Sequence, residues 1–179
     1  MEVGAVPVGG AMNHELELFK MHKKQREIAQ TLRYAAPDPR RLLARMVERA
    51  VAFKIAERGF RVHHTSRGAR CDLIVEDSLR VEVKASTWQE RSNRNVGGFY
   101  QFFYHNQADL LIACCCNEDY HYLVIPVRDL GDRRNIRITS LDPADYCGQW
   151  VVYLEAWQRL EAAVDHAVRA QVYQRSFLQ

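Results

Sequence analysis

Apolar residues along this chain fall into helical stripes at both ends and short alternating runs between them. From His14 to Tyr34, Leu18, Met21, Ile28 and Leu32 recur at helical spacing, with Gln25 interrupting the stripe, until Pro37-Asp38-Pro39 breaks it. Asp38 then caps a second helix with Pro39 at its first position; Leu42, Leu43, Met46, Val47 and Ala50 mark its apolar face, and Gly59 ends it. Alternation predicts strands over Phe60 to His64, Cys71 to Val75 and Leu79 to Ser86, the last two joined by a tight turn at Glu76-Asp77-Ser78. Further strands are expected at Phe99 to Tyr104, Asp109 to Cys115 and Tyr120 to Ile125, with an edge strand at Asn135 to Thr139. The run from about Trp150 to Val172, carrying Leu154, Trp157, Leu160, Val164, Ala167 and Val168, predicts a final amphipathic helix, with Trp150, Tyr153 and Trp157 as core.

This order, helices, then strands, then a helix, predicts an α+β or α/β/α layered fold in one domain. With 179 residues, such a domain buries roughly two thirds of the surface its unfolded chain exposes. Residues 1–13 are small, apolar and glycine-rich without the basic start of a signal peptide, so they are expected to be a disordered leader, with Met12 a candidate alternative start. The domain is expected over 14–179, its core over about 40–130, with helical additions at both ends.

Charge and composition narrow the function classes. No run of about eighteen apolar residues could span a membrane, so no membrane role is expected. A formal charge of +3 permits nucleic acid without demanding it. Basic residues cluster locally, Lys20, Lys23, Lys24 and Arg26 on the first helix and Arg40, Arg41, Arg45 and Arg49 on the second. Five cysteines, Cys71, Cys114, Cys115, Cys116 and Cys147, show no zinc-ligand spacing, and a reducing, cytoplasmic setting is expected.

Candidate chemistry lies on two neighbouring strands. Alternation over Leu79 to Ser86 points Arg80, Glu82, Lys84 and Ser86 to one face and Leu79, Val81, Val83 and Ala85 to the other. Asp72 arrives beside them across the hairpin, giving two carboxylates and an ammonium. The strand lies between other apolar strands and is expected to be central, where a charged face needs a reason. Asp72, Glu82 and the backbone carbonyl of Val83 are oxygen donors of the kind that hold Mg²⁺, with Mn²⁺ as a substitute. Lys84 would stand against an attacking water or a phosphate oxygen. The reaction these groups suit is hydrolysis of a phosphodiester.

Together these residues resemble the PD-(D/E)XK nuclease superfamily, the restriction-endonuclease-like fold: Asp72 matches the motif aspartate and Glu82-Val83-Lys84 matches E-x-K. Glu48 resembles the first-helix glutamate of Holliday-junction resolvases and some homing enzymes, which joins the metal shell in some members. The stretch from Lys84-Ala85-Ser86-Thr87-Trp88 through His121-Tyr122-Leu123-Val124-Ile125-Pro126 resembles group I intron homing endonucleases and small restriction enzymes. Cys71 stands where the family name has proline. What the resemblance implies is a three-layer α/β/α core with a mixed sheet. It also implies a Mg²⁺-dependent endonuclease acting on double-stranded or branched DNA, as a homodimer or higher oligomer. An RNA-directed or anti-phage effector nuclease with the same site, or a catalytically silent member acting as a binding module, are the alternatives.

Lesser candidates surround that site. Gln101, Arg91 and Arg94 carry donors suited to nucleic acid, the two arginines with Asn93 and Asn95 on a loop closed by Gly97-Gly98. His63 and His64 are expected near the mouth. Glu48 departs from the Leu42, Leu43, Met46, Val47, Ala50 face, and reaches the site only if the helix packs through Ala44, Val51 and Ile55 as well.

Overall fold

Asp38 and Pro39 start a helix as the sequence predicts, and α1 spans Pro39–Ala56. The Arg40 N–H donates to Asp38 Oδ1 at 3.0 Å, giving one orphan amide of the first turn a partner. At the other end Gly59 adopts φ +85°, its N–H donates to the Ala56 carbonyl at 2.9 Å, and Arg58 Nη1 donates to the Lys54 carbonyl at 2.7 Å. These coordinates, a computed structural model, describe residues 38–176 except 67, 92–96 and 105–106. The leader over 1–13, the helix over 14–34 with the cluster Lys20, Lys23, Lys24 and Arg26, and Asn93, Arg94 and Asn95 lie outside the described residues. The chain divides after Leu42, and the architecture that follows is that of the unit from Leu43 to Gln179.

Strands β1 (Val62–His64), β2 (Leu73–Val75), β3 (Leu79–Thr87), β6 (Leu110–Cys116) and β7 (Tyr120–Pro126) form one mixed sheet in the order β1-β2-β3-β6-β7. All neighbours are antiparallel except β3 and β6, which run parallel from Val81 opposite Leu110 to Thr87 opposite Cys116. The β2–β3 hairpin turns through Glu76 (φ 49°) and Asp77 (φ 58°), the paired left-handed conformation that matches strand twist, and Ser78 N–H closes it on the Val75 carbonyl at 3.1 Å. Strand β3 is central, as expected from its apolar run.

Each face of this sheet has its own core. On one side Val81 and Val83 join Leu73, Val75, Ile112, Cys114 and Val124 beneath Val47, Val51 and Ile55 of α1 and Leu160 and Val164 of the last helix, α2 (Gln158–Ser176). On the other side Leu111, Ala113, Cys115, Leu123 and Ile125 pack against Tyr100, Phe102, Ile136 and Ile138. Those last four come from a second, three-stranded sheet of β4 (Gln89–Glu90), β5 (Gly98–Phe103) and β8 (Asn135–Ile138), in the order β4-β5-β8. The fold is therefore α+β, a mixed sheet with helices from both ends of the chain. Among the described residues, the layer opposite the helices is the small sheet rather than a helix. The predicted edge strand at Asn135 pairs with β5, not with the main sheet.

The last helix starts later than its periodicity suggests. Trp150 and Trp157 are both buried, but in opposite cores, so they cannot share one helical stripe. Between them Val151–Tyr153 makes a single 3-10 turn, Leu154 bridges Leu123, and Glu155 stands at φ 47°. The Glu155 carboxylate accepts from the Tyr122 N–H at 2.8 Å and from Trp157 Nε1 at 2.9 Å, which fixes where α2 begins. Helix α1 likewise buries Val47, Val51, Ala52 and Ile55 and leaves Met46, expected on its apolar face, 52% exposed.

Gly98 marks the tightest approach between β4 and β5. A Cβ there would meet the Gln89 carbonyl oxygen and lie 2.6 Å from the Trp88 ring, which rests edge-on against Tyr100 with centroids 5.2 Å apart. Overpacking of this kind typically costs about 1–3 kcal/mol. Gly98→Ala is expected to lower the free energy of urea unfolding by that amount, whereas an unchanged midpoint would show that the corner yields freely.

Candidate active site

The site forms where β3 outruns β2. Leu73 is the first residue of β2 and pairs with Val81, so beyond Val81 the β2 side of β3 has no strand beside it. Asp109 N–H bonds the Arg80 carbonyl on the β6 side and Asp72 N–H bonds the Val81 carbonyl at 3.0 Å on the β2 side, so odd-numbered backbone groups of β3 face β2. The Val83 N–H is next in that series. Instead of a strand carbonyl it meets the Asp72 carboxylate, donating to Oδ2 at 2.7 Å. In an extended strand a residue's N–H and C=O point to the same side, so the Val83 carbonyl shares this open edge.

Asp72 is held firmly from behind. Thr65 N–H donates to its carbonyl at 3.0 Å, and Thr65 Oγ1 donates to the Cys71 carbonyl at 2.5 Å. With Oδ2 occupied by Val83, Oδ1 is the oxygen available to a ligand. Glu82, 9% exposed, and Lys84 project from the same face of β3, and Lys84 Nζ lies 2.5 Å from Glu82 Oε1. That contact is charge-assisted and partly shielded, the Lys84 side chain being 32% exposed and that of Glu82 11%.

Glu48 faces the same edge. Because α1 packs through Val47, Val51, Ala52 and Ile55, Glu48 falls on the buried arc, three residues before Val51 and four before Ala52. Its carboxyl is held above the ordinary glutamate range, chiefly by burial and next by the negative charge of Asp72. His64, Arg45 and Lys84 oppose the shift. Glu48, Asp72, His64 and Lys84 thus share one electrostatic neighbourhood.

The other candidates divide. His64 stands near Glu48, whereas His63 lies with Nε2 3.6 Å from Asp77 at the hairpin; the expectation that both histidines flank the mouth fails for His63 because alternation sends neighbours to opposite sides. Gln101 is half-buried on β5, and its backbone N–H donates to Ser86 Oγ at 3.1 Å. Ser86, buried in β3 two residues beyond Lys84, therefore fastens the small sheet beside the site, a positioning role no motif in the sequence signalled. Arg91 is exposed, its N–H closing the loop on the Gly97 carbonyl at 3.2 Å. All five cysteines carry free thiols; Cys114, Cys115 and Cys116 are buried on β6, and burial pushes the Cys115 thiol up.

Among the described residues no group of three or more His, Cys, Asp or Glu side chains is arranged to hold a metal ion. A Mg²⁺ site needs no such group, since one or two carboxylates with carbonyl and water oxygens satisfy it. Asp72 Oδ1, the second Glu82 oxygen and the Val83 carbonyl are oxygen donors of the type such a site uses.

No protein-family model matches the sequence, and no curated protein matches it. Among solved structures, a bacterial homing endonuclease, I-Ssp6803I, superimposes with a TM-score of 0.53 at 20% identity, over 76% of this chain and 98% of that one. The likeness shows the fold: this chain shares the fold of that endonuclease.

Glu48 gives the site a pH signature. A carboxyl whose folded-state pKa is raised contributes stability below its unfolded value, and that contribution is lost as pH rises through the folded one. At neutral pH the charged group is therefore a net cost to the metal-free protein. Glu48→Gln is expected to raise the melting temperature by about 1–4 °C at pH 7.5 in EDTA and to give no gain at pH 4. A lowered melting temperature at pH 7.5 would instead assign Glu48 to a stabilising ion pair.

Proposed function

We propose that this protein is a Mg²⁺-dependent endonuclease that hydrolyses DNA phosphodiester bonds at the open edge of β3. The observation that carries the reading is the placement of the Asp72 carboxylate on the Val83 amide, beside the Glu82–Lys84 pair, on a strand whose other flank is paired to β6. Asp72 satisfies the Val83 amide, but the sheet itself does not call for Glu82 and Lys84 at the same spot, and burying charges costs free energy that function must justify. The likeness to a homing endonuclease supports a nuclease fold for the chain.

Asp72, Glu82 and the Val83 carbonyl would hold the ion, with Mn²⁺ as a substitute and Glu48 joining from α1. When bound, a divalent cation lowers the pKa of a coordinated water and neutralises charge on the phosphoryl oxygens. The chain's own residues do the rest. Asp72 is fixed in orientation by the Val83 N–H and the Thr65 clamp, so it offers one carboxylate oxygen to the edge. Lys84, at about 6.6 Å along the strand from Glu82 by strand rise, places its ammonium where negative charge develops on phosphate. Glu48 shares the electrostatic neighbourhood of Asp72 and His64. Arg91 and Gln101 would supply donors to the nucleic-acid backbone. Cutting both strands of a duplex calls for two such sites, hence a homodimer or higher oligomer.

The test is cleavage of supercoiled, linear and branched DNA with Mg²⁺, with EDTA, and with single substitutions. Glu82→Ala and Lys84→Ala are each expected to slow metal-dependent cutting by about 10²-fold or more. Cutting that survives both would sink the site assignment, and RNA cut in preference to every DNA would shift the substrate. A wild-type chain that cuts no nucleic acid would favour a binding module.

A further inference from the structure

A second concave site lies at the other end of β3. A cavity of about 610 Å³ opens between α2 and the start of β3, the start of β6 and the end of β7, within the size range of small-molecule sites. The lateral order of these strands and two contacts of α2 give the cavity its direction. Near the start of α2, Arg159 Nη1 lies 3.7 Å from Asp129, just after β7. Towards its end, Gln171 Nε2 donates to the Asp77 carbonyl of the β2–β3 hairpin at 3.3 Å. The cavity is thus a trough under the helix, with Arg128 and Arg159 at one end and Ser78 and Gln171 at the other.

Its walls are unequal in chemistry. Leu79, Val127 and the alanines of α2, with His166 among them, make a mostly apolar middle whose short alanine side chains leave room for a flat group. Arg80 is already satisfied, its guanidinium and N–H both bonded to Asp109 at 2.8–3.0 Å. Arg128 and Arg159 are not: both lean on the single carboxylate of Asp129, each at 3.7 Å, beyond hydrogen-bonding distance. Two cations against one anion leave that end positive. Moreover, among the described residues two buried side-chain polar atoms lack a hydrogen-bond partner, Ser78 Oγ and Arg159 Nε, and both belong to residues lining this trough. An orphaned guanidinium N–H is a donor that only an acceptor can satisfy.

We propose that the trough binds a small molecule of the mononucleotide class. Its phosphate monoester sits at Arg128 and Arg159, a flat ring lies over the alanines, and the ring's polar edge meets Ser78 and Gln171. Guanidinium forks match phosphate oxygens in geometry and charge. The trough's apolar middle gives such a ligand affinity that inorganic phosphate lacks. The site stands apart from Glu82 and Lys84 and does not depend on the nuclease reading.

The probe is adenosine 5′-monophosphate, titrated calorimetrically into the full chain in EDTA, with adenosine and inorganic phosphate as separate arms. Saturable binding with Kd below about 1 mM is expected for the nucleotide, with adenosine and phosphate each at least about tenfold weaker. Arg128→Ala, at an exposed position that leaves folding intact, and Arg159→Lys, which keeps the charge but removes Nε, are each expected to weaken nucleotide binding about fivefold or more. Glu82→Ala is expected to leave it unchanged, which separates this site from the cutting edge. No binding at 10-fold that concentration, equal affinity for adenosine or for phosphate alone, or binding unaffected by both arginine substitutions would each overturn the proposal.

Discussion

The architecture turns on one backbone amide, the Val83 N–H. Strand β3 extends past the start of β2, so its next inward-facing amide has no strand carbonyl to meet. An unpaired amide in so buried a strand would cost about 1–3 kcal/mol. Asp72 removes that cost by turning its side chain back onto Val83 at 2.7 Å. The same turn places a carboxylate beside the Val83 carbonyl, on the flank of β3 that β2 leaves open. The carboxylate that satisfies the sheet therefore also faces its open edge, and Thr65 fixes it from behind.

The remaining groups follow from which way each element faces. Period two on β3 gives Val81 and Val83 to the helix-side core and Glu82, Lys84 and Ser86 to the side of the small sheet, where Ser86 takes the Gln101 amide. Helix α1 lies on the opposite side of the sheet, yet its Glu48 joins the neighbourhood because the site is at an edge rather than on a face. Its burial arc runs through Val51 and Ala52, and this rotation leaves Met46 in solvent. Several carboxylates gathered round one ammonium repel each other when no cation is present, and the raised Glu48 is the visible sign of that repulsion and of burial.

The strands and the central position of β3 were legible because period-two alternation and turn residues mark them directly. The helix face was less so: of the expected stripe Leu42, Leu43, Met46, Val47 and Ala50, Val47 is buried and Leu43 packs on the core, but Met46 faces solvent and the buried arc continues through Val51, Ala52 and Ile55. Trp150 and Trp157 show a sharper limit. Seven residues apart, they fit a helical period, but each fills a different core, a fact set by the two-sided sheet and invisible in one dimension. Asp72, Glu82 and Lys84 stood out because charged residues interrupt apolar runs. Ser86 did not, since a serine on a strand is unremarkable until its partner, the amide of Gln101, is known. The trough beneath α2 left no linear trace at all, its lining being drawn from both halves of the chain.

The two ends of β3 pose a question of coupling. From Leu79 to Lys84 the strand covers about 17 Å, and every residue of it is paired on at least one flank, to β2 from Leu79 to Val81 and to β6 from Val81 onward. Such a strand has one arrangement, and a ligand shifts an equilibrium only where two arrangements differ in affinity for it. Occupation of the trough therefore cannot be transmitted along β3 itself. Helix α2 is the element that both lines the trough and contacts the hairpin, through Gln171 and the Asp77 carbonyl. That hairpin leads directly through the three residues of β2 to Asp72. Any influence of the trough on the open edge of β3 runs by this short route, through the placement of Asp72 on Val83, rather than through the centre of the sheet.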